Sequence, residues 1–363
     1  MWVVEIVMEA PSPAGQALTL AREAKGWTQR ELANASGVSQ AVLSKAESGI
    51  SDLGSRLPSV ATALGCPAEV LRVGLPVSGA PVTCLHHRRR ASQVNAKAQK
   101  RVQALAQLTR VTVTGLMDAA GAAPQVDELL DGRAGLAGPT AAAAAVRERF
   151  GLGDEPVPDA VGLVERTGCV VVVRALGAGG QDAVSSWAGQ GDVPLVLVNT
   201  GLPVDRQRFT VLHELGHLLL HVVPDEGQEQ EAHHFAAELL LPADVAAAEL
   251  AGLGTDDFRR LLELKEAWGL SIGALVQRAL DVGCISPDQF RQMRMRLGRL
   301  GWHLVEPGHL TKETPTRLAG YVQAARGRGL GDAGLAAAAH MTVVKFASQT
   351  WLSATGQQEV VSG

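Results

Sequence analysis

The sequence His213-Glu214-Leu215-Gly216-His217 constrains the fold most, because it places two imidazoles four residues apart inside an apolar stretch. Residues four apart on an α-helix lie one turn above each other on the same face. The flanking residues predict a buried helix over 205–221. The apolar ones are Phe209, Val211, Leu212, Leu218, Leu219 and Leu220.

Two histidines at this spacing can direct ring nitrogens at one Zn²⁺, and Glu214 can take a proton from a water bound to the same ion. Zinc lowers the pKa of such a water to about 7, so hydroxide becomes available at neutral pH. The alternative is a core helix that carries two histidines without any metal. The pentapeptide also recurs by chance, and its surroundings must therefore decide between the two interpretations.

A catalytic zinc site needs a third protein ligand and one open position. His221 continues the stripe, but it lies roughly 9 Å along the helix axis from the midpoint of the other two histidines. We therefore expect His221 to cap the end of the helix. A second helix predicted over 229–240 offers better candidates: Glu231 adjoins its apolar face, whereas Glu229 is expected in a frayed first turn. The other candidates on this helix are His233 and His234.

The segment Arg206-Gln207-Arg208-Phe209-Thr210 before the histidines, with Glu231-Ala232-x-x-Phe235-Ala236 after them, resembles the ImmA/IrrE family of metallopeptidases. The likeness runs from about 140 to 305 and includes Trp268-Gly269-Leu270-Ser271-Ile272. It implies an α+β zincin-like domain, zinc-dependent endopeptidase activity and Glu231 as the third ligand. Known family members cleave helix-turn-helix repressors, and the resemblance implies a protein substrate of that kind.

The sequence departs from the family pattern at His233, where the family usually has asparagine. That position is not a ligand in the pattern. The only tyrosine is Tyr321, outside the motif, so no tyrosine near the site is expected to stabilise an oxyanion. Arg208 and His221 are the candidates for that role.

A second motif occupies residues 28–49: Thr28-Gln29-x-Glu31-Leu32-Ala33-x-x-Ser36-Gly37-Val38-Ser39-Gln40-x-x-Leu43-Ser44-x-x-Glu47-x-Gly49. Over about residues 14–73 the chain resembles the helix-turn-helix of the XRE/Cro repressor family, which implies an all-α DNA-binding domain. In that fold the second helix of the motif enters the major groove by its N-terminal end. Glutamine can read adenine there, and alanine can touch a thymine methyl group. Carried over position by position, the base-facing residues are Gln40, Ala41 and Lys45, the phosphate-holding residues are Gln29 and Ser39, and Ser44 is a further DNA contact.

The charge of this unit is small: residues 14–66 carry five basic and four acidic side chains. Nonspecific affinity for DNA scales with the number of phosphates neutralised, so the unit alone predicts weak binding, and a degenerate unit retained for protein contact is the alternative. Residues 88–110 carry seven Lys and Arg residues and no acid, and predict a basic amphipathic helix within a linker over 74–138. This helix either adds phosphate contacts, or is a solvated linker, or is a dimerisation element that supplies a second half-site.

The length of 363 residues is enough for two or three domains. The net charge of −4 predicts no overall attraction to nucleic acid. Four scattered cysteines, a poor signal sequence and the lack of an apolar run of roughly 20 residues indicate a cytoplasmic protein with no membrane partner. We predict a multidomain protein with a disordered start over 1–13, a helix-turn-helix domain over 14–73, the linker, an α+β metallopeptidase domain over 139–308 and a helical C-terminal region over 309–363.

Three functions fit these predictions. The first is a DNA-binding regulator whose zinc peptidase cleaves a repressor or this chain itself. The second is a transcription factor whose peptidase-like domain no longer cuts and serves as a ligand or signal sensor, although a sensor has no need of Glu214. The third treats the first domain as a tethered substrate mimic or an antitoxin, which predicts no operator binding.

Overall fold

The computed structural model describes residues 12–76, 82, 96–132, 135–177, 181–221, 226–302 and 305–349. The expected disorder over 1–13 lies almost wholly outside these residues. The chain begins with a bundle of five short helices, which confirms the predicted all-α N-terminal domain. They are α1 (Pro13–Ala24), α2 (Gln29–Ser36), α3 (Gln40–Glu47), α4 (Leu57–Leu64) and α5 (Ala68–Val73).

Local signals start and stop the helices of this bundle. The Thr28 hydroxyl accepts from the backbone N–H of Glu31, and the Glu31 carboxylate accepts from the N–H of Thr28, which forms a capping box at the start of α2. Gly37 ends α2 with φ of 71°, a left-handed conformation that favours glycine. The bundle core is built from one apolar side chain or more of each of the five helices; its fully or nearly fully buried members include Leu18, Leu32, Leu43, Val60 and Leu71.

The predicted basic linker helix is longer and more buried than expected. Helix α6 spans Ala96–Ala119, and the part of the prediction before residue 96, with Arg88 to Arg90, lies outside the described residues. Val102, Leu105 and Leu116 are buried, so the reading as a solvated linker helix is wrong. The reason is that three of its four basic residues lie in the first two turns and the fourth, Arg110, is buried, whereas apolar positions continue beyond residue 110.

A three-stranded sheet follows in the middle of the sequence and separates two apolar cores. Its strands are β1 (Val170–Val173), β2 (Ala183–Ser186) and β3 (Leu195–Val198), in the order β1-β3-β2. β3 pairs parallel with β1 and antiparallel with β2. Because side chains alternate across a strand, each strand sends residues to both faces. Val171 and Val196 enter one apolar core, whereas Val172 and Leu197 enter another.

The first core contains the helices around the metal motif. In chain order these are α7 (Glu128–Asp131), α8 (Pro139–Arg149), α9 (Ala160–Arg166), α10 (Val204–Leu220), α11 (Gln228–Leu240), α12 (Ala243–Glu249), α13 (Phe258–Trp268), α14 (Ile272–Asp281) and α15 (Pro287–Arg299). Gly216 allows α10 and α11 to pack closely, because a Cβ there would lie 2.9 Å from Cδ1 of Phe235.

The second core joins α6 to the other face of the sheet and to the C-terminal region. That region forms α16 (Arg317–Gly327), α17 (Asp332–Ala338) and α18 (Val343–Ala347), which confirms its helical character over the described residues. Leu318, Val322 and Leu335 pack there with Val113 of α6. α6 also contacts α1 of the N-terminal bundle. The C-terminal helices therefore cover a sheet face that would otherwise expose valines and leucines to water.

Candidate metal centre

Helix α10 brings the two motif histidines together, as the spacing predicts. The Nε2 atoms of His213 and His217 lie 3.1 Å apart. His217 is completely buried, and the side chain of His213 is 15% exposed, which leaves one side of the pair open.

The carboxylate of Glu229, and not that of Glu231, lies close to both histidine rings in this structure. A carboxylate oxygen of Glu229 lies 3.6 Å from Nε2 of His213, and the other lies 3.5 Å from Nε2 of His217. Helix α11 begins at Gln228, after Gly227, so Glu229 occupies an ordered first turn instead of the frayed end that the sequence suggested. Helix residues two apart do not share a face, and Glu231 therefore diverges from the pair.

The donor set fits zinc. At zinc–ligand distances of about 2.0–2.1 Å, tetrahedral ligands are separated by roughly 3.3 Å, close to the observed separations. The Oε1 atom of Glu229 is buried without a hydrogen-bond partner among the described residues, as expected of a group whose partner is an ion. Burial would raise the pKa of Glu229, but the imidazoles of His213 and His217 outweigh it and hold that pKa well below its ordinary value. These are also the only three acidic, histidine or cysteine side chains of the described chain whose ligand atoms lie within 4.8 Å of one another.

His221 contacts the motif through its ring and not only through the helix end. Its backbone N–H donates to the carbonyl of His217, where α10 ends. Its Nδ1 lies 2.9 Å from Nδ1 of His217, and its Nε2 lies 3.2 Å from Oε2 of Glu231. Burial, together with the neighbouring His217, lowers the pKa of His221 to about 4. Its ring is therefore neutral near pH 7.

Glu214 lies beside the ligand pair and is held from the sheet. The hydroxyl of Ser185, on β2, donates to Oε2 of Glu214 over 2.7 Å, and both residues are buried. Ser185 points to this face because it lies two residues after Ala183, which enters the first core, and strand residues two apart share a face. No motif in the sequence indicated Ser185; the signal available was only its place in a strand that packs on α10.

A cavity of about 990 Å³ opens onto this site. Its walls include His213, Glu214 and Glu229, together with Arg206, His233 and His234. The ring of His233 packs against Phe209 with centroids 4.8 Å apart and the ring planes tilted by 52°. The site therefore has an open side large enough for a peptide segment.

Neither candidate for oxyanion stabilisation is placed for that role. Arg208 forms a buried ion pair with Glu313 and donates to the carbonyl of Val157. His221 lies behind His217, away from the cavity walls. In this structure each side chain is instead engaged by partners that come from distant parts of the sequence or from the next helix.

Of the predicted DNA contacts, Ser39 precedes α3, Gln40, Ala41, Ser44 and Lys45 lie along it, and Gln29 begins α2. Gln40, Ala41, Lys45 and Ser39 are exposed, and Ser44 is half-buried. Gln29 differs, because its amide donates to Glu47 over 2.8 Å. Glu47 in turn accepts a bidentate pair of hydrogen bonds from Arg22.

The basic start of α6 lies against the bundle. Lys97 pairs with Glu31 at 3.2 Å, and Lys100 approaches Glu23 at 3.9 Å. Hydrogen bonds from the backbone and hydroxyl of Thr28, with help from Lys97, lower the pKa of Glu31 to about 2. Glu31 and Glu23 therefore neutralise part of the positive charge at the start of α6 that could have bound DNA phosphates.

The motif, the cluster of His213, His217 and Glu229 and the surrounding α+β fold resemble a domain of metallopeptidase type. Comparison agrees: a model described as an IrrE N-terminal-like domain matches residues 164–280, which include the motif and both glutamates. A model described as helix-turn-helix matches residues 18–71. The chain thus joins an XRE-type DNA-binding domain to an IrrE-like peptidase domain, as the two resemblances implied. No curated protein sequence matches it. Of the described helices, none has the length and apolar character needed to cross a membrane.

Proposed function

We propose that this protein is a DNA-binding regulator with an active zinc-dependent endopeptidase domain, which cleaves a helix-turn-helix repressor or the chain itself. The observation that carries the proposal is the donor set of His213, His217 and Glu229, in which the unpartnered buried Oε1 of Glu229 lies 3.5 Å from Nε2 of His217. A zinc site with three protein ligands and an open side is the arrangement of catalytic zinc. The expectation that Glu231 is the third ligand is replaced by Glu229.

When bound, zinc would lower the pKa of water and polarise a carbonyl at the open side. Glu214 is the general base: it accepts the proton of the attacking water and can pass it to the leaving amine. The hydroxyl of Ser185 donates to one carboxylate oxygen of Glu214 and so helps to hold that side chain beside the two histidines. Arg206, His233 and His234 also line the cavity, where they can contact the substrate backbone.

For the DNA-binding half, we propose that Gln40, Ala41 and Lys45 read base edges in the major groove, with Ser44 beside them. Ser39 and the start of α2 at Gln29 contact phosphates. A single helix-turn-helix reads one half-site, so the proposal includes a homodimer on an operator of unknown sequence. We also propose that the protein acts in the cytoplasm, because the operator that it would bind is there.

The test is the variant Glu214→Gln, assayed on repressors encoded near the gene and on the chain itself. We expect zinc and operator binding to persist and cleavage to fall roughly 10²–10⁴-fold, the usual contribution of a general base. Ser271→Ala serves as the matched control, because Ser271 caps α14 and lines no wall of the metal cavity. Intact candidate substrates with both wild type and Glu214→Gln would remove the peptidase from the proposal.

A regulator that senses a signal without cutting is the second candidate. It is favoured by the position of α6, which packs against α1 of the DNA-binding bundle and against the sheet beside α10. A change at the metal centre has a packed route to the bundle through these contacts. In that case wild type and Glu214→Gln regulate the operator alike, and zinc alone alters operator affinity.

A further inference from the structure

The buried ligand His217 has a second set of contacts on the side away from the cavity. Its Nε2 faces His213 and Glu229, whereas its Nδ1 lies 2.9 Å from Nδ1 of His221. Nε2 of His221 then lies 3.2 Å from Oε2 of Glu231. The side chains of His217, His221 and Glu231 are 0%, 5% and 53% exposed. The three form a chain that runs from the buried metal centre to the surface.

Only one arrangement of protons on neutral rings satisfies every contact in this chain. A metal ligand must offer the lone pair of Nε2, which puts the ring proton of His217 on Nδ1. That Nδ1–H donates to Nδ1 of His221, which must therefore carry a lone pair. The ring proton of His221 is then on Nε2, from which it donates to the carboxylate of Glu231.

We propose that His221 and Glu231 are positioning residues that fix the tautomer and ring orientation of His217 for metal binding. The inference rests on the metal centre proposed above. Metal-bound histidines commonly donate their second ring nitrogen to a carboxylate or carbonyl, and such contacts tune metal affinity. Here a histidine stands between the ligand and the carboxylate.

A purely structural role for His221 explains less of the geometry. Its backbone N–H already ends α10 through the carbonyl of His217, and that contact needs no imidazole. The carboxylate of Glu231 is more than half exposed, so nothing in the packing requires it to point at His221. A structural role alone does not explain why the two rings face each other through their Nδ1 atoms.

The test is the dissociation constant of zinc, measured by competition with a chromophoric chelator on the full chain. We expect His221→Phe, which keeps ring volume but cannot accept a hydrogen bond, to weaken zinc binding 10–100-fold. His221→Asn can place its amide oxygen near the former Nδ1, and we expect it to recover most of that loss. Glu231→Gln retains an accepting oxygen, so its loss should be a few-fold at most. Glu229→Ala, a ligand variant, should lose far more than any of these.

Two spectroscopic readouts separate positioning from general disruption. The visible absorption of the Co²⁺-substituted protein should change in His221→Phe and return in His221→Asn, since it reports ligand geometry. Long-range ¹⁵N–¹H correlation of the zinc-loaded wild type should show the proton of His217 on Nδ1. Circular dichroism of each variant verifies that it is folded.

The outcomes divide clearly. Zinc affinity of His221→Phe within twofold of wild type, in a folded protein, overturns the inference and leaves the proposed function standing. Loss of zinc in Glu231→Gln as complete as in Glu229→Ala also overturns it, because Glu231 would then be a ligand. A wild-type chain that binds no zinc removes both the inference and the proposed function.

Discussion

The metal centre and the DNA-binding face differ in how the chain builds them. The candidate DNA contacts lie mainly along α3 and are mostly exposed, so their side chains depend little on other elements. The candidate metal centre takes His217 from α10, Glu229 from α11 and the support of Ser185 from β2; His217 and Ser185 are buried, and Glu229 is partly buried. Local sequence can therefore specify an exposed DNA-contacting surface, whereas a buried metal centre depends on long-range packing.

The largest expected effect is on the support of the metal centre. Glu238 lies in the last turn of α11, beside the cavity. It forms a buried ion pair with Arg278 and accepts a hydrogen bond from the N–H of Ala243. Glu238→Ala leaves a guanidinium buried without its partner, and we expect a loss of about 3–5 kcal/mol in unfolding free energy. The exposed pair of Arg259 and Glu263 is the control, because Glu263→Ala should cost at most about 0.5 kcal/mol. Equal losses in denaturant titrations would break the contrast between buried and exposed regions.

The same contrast explains which parts of the fold could be predicted. The helix over His213 to His217 follows from local periodicity, and the helix-turn-helix follows from caps and glycines at Thr28 and Gly37. The choice between Glu229 and Glu231 depended on the residue at which α11 begins, and local sequence sets helix ends poorly.

The basic sequence of α6 led to a wrong prediction of a solvated linker helix for a related reason. Arg110 adds to a basic stretch in the sequence, but in the structure it is 3% exposed and bonded to Asp192, 82 residues away. It also donates to the carbonyls of Ser186 and Val193 at the sheet. A partner so distant in the sequence leaves no local signal. The hydroxyl of Ser185 and the cover that the C-terminal helices give the sheet were unpredictable on the same ground.

Removal of metal should affect only the buried region. At a free zinc concentration of 100 times the dissociation constant, binding stabilises the folded state by about 2.7 kcal/mol. A chelator should therefore lower the melting temperature of wild type, and Glu229→Ala should show no such shift. Lys45→Ala should keep the whole shift, since α3 contributes no ligand. Thermal unfolding by calorimetry measures all three, and a shift that survives in Glu229→Ala would place the ion elsewhere.

Substitutions on α3 should act on DNA and leave stability alone. Gln40→Ala should cost about 1–3 kcal/mol of discrimination at the base it reads. Lys45→Ala should weaken binding and, if it meets a phosphate instead of a base, reduce the slope of affinity against salt by about one. Thr62→Ala, on the exposed side of α4, is the control and should change neither quantity. Fluorescence anisotropy with operator DNA at several salt concentrations measures both; unchanged specificity in Gln40→Ala would point to a different reading surface.

The smallest expected effect separates two helix starts within the bundle. The hydroxyl of Thr28 accepts from the N–H of Glu31, whereas that of Ser39 makes no capping hydrogen bond at the start of α3. Thr28→Ala should therefore cost about 1 kcal/mol of stability. Ser39→Ala should cost much less and should instead weaken operator binding, because that hydroxyl is left to meet a phosphate. Chemical denaturation and anisotropy on the same pair of variants test this. If Ser39→Ala destabilised the bundle as much as Thr28→Ala and left DNA affinity unchanged, Ser39 would be a structural cap, and the exposed face would begin at Gln40.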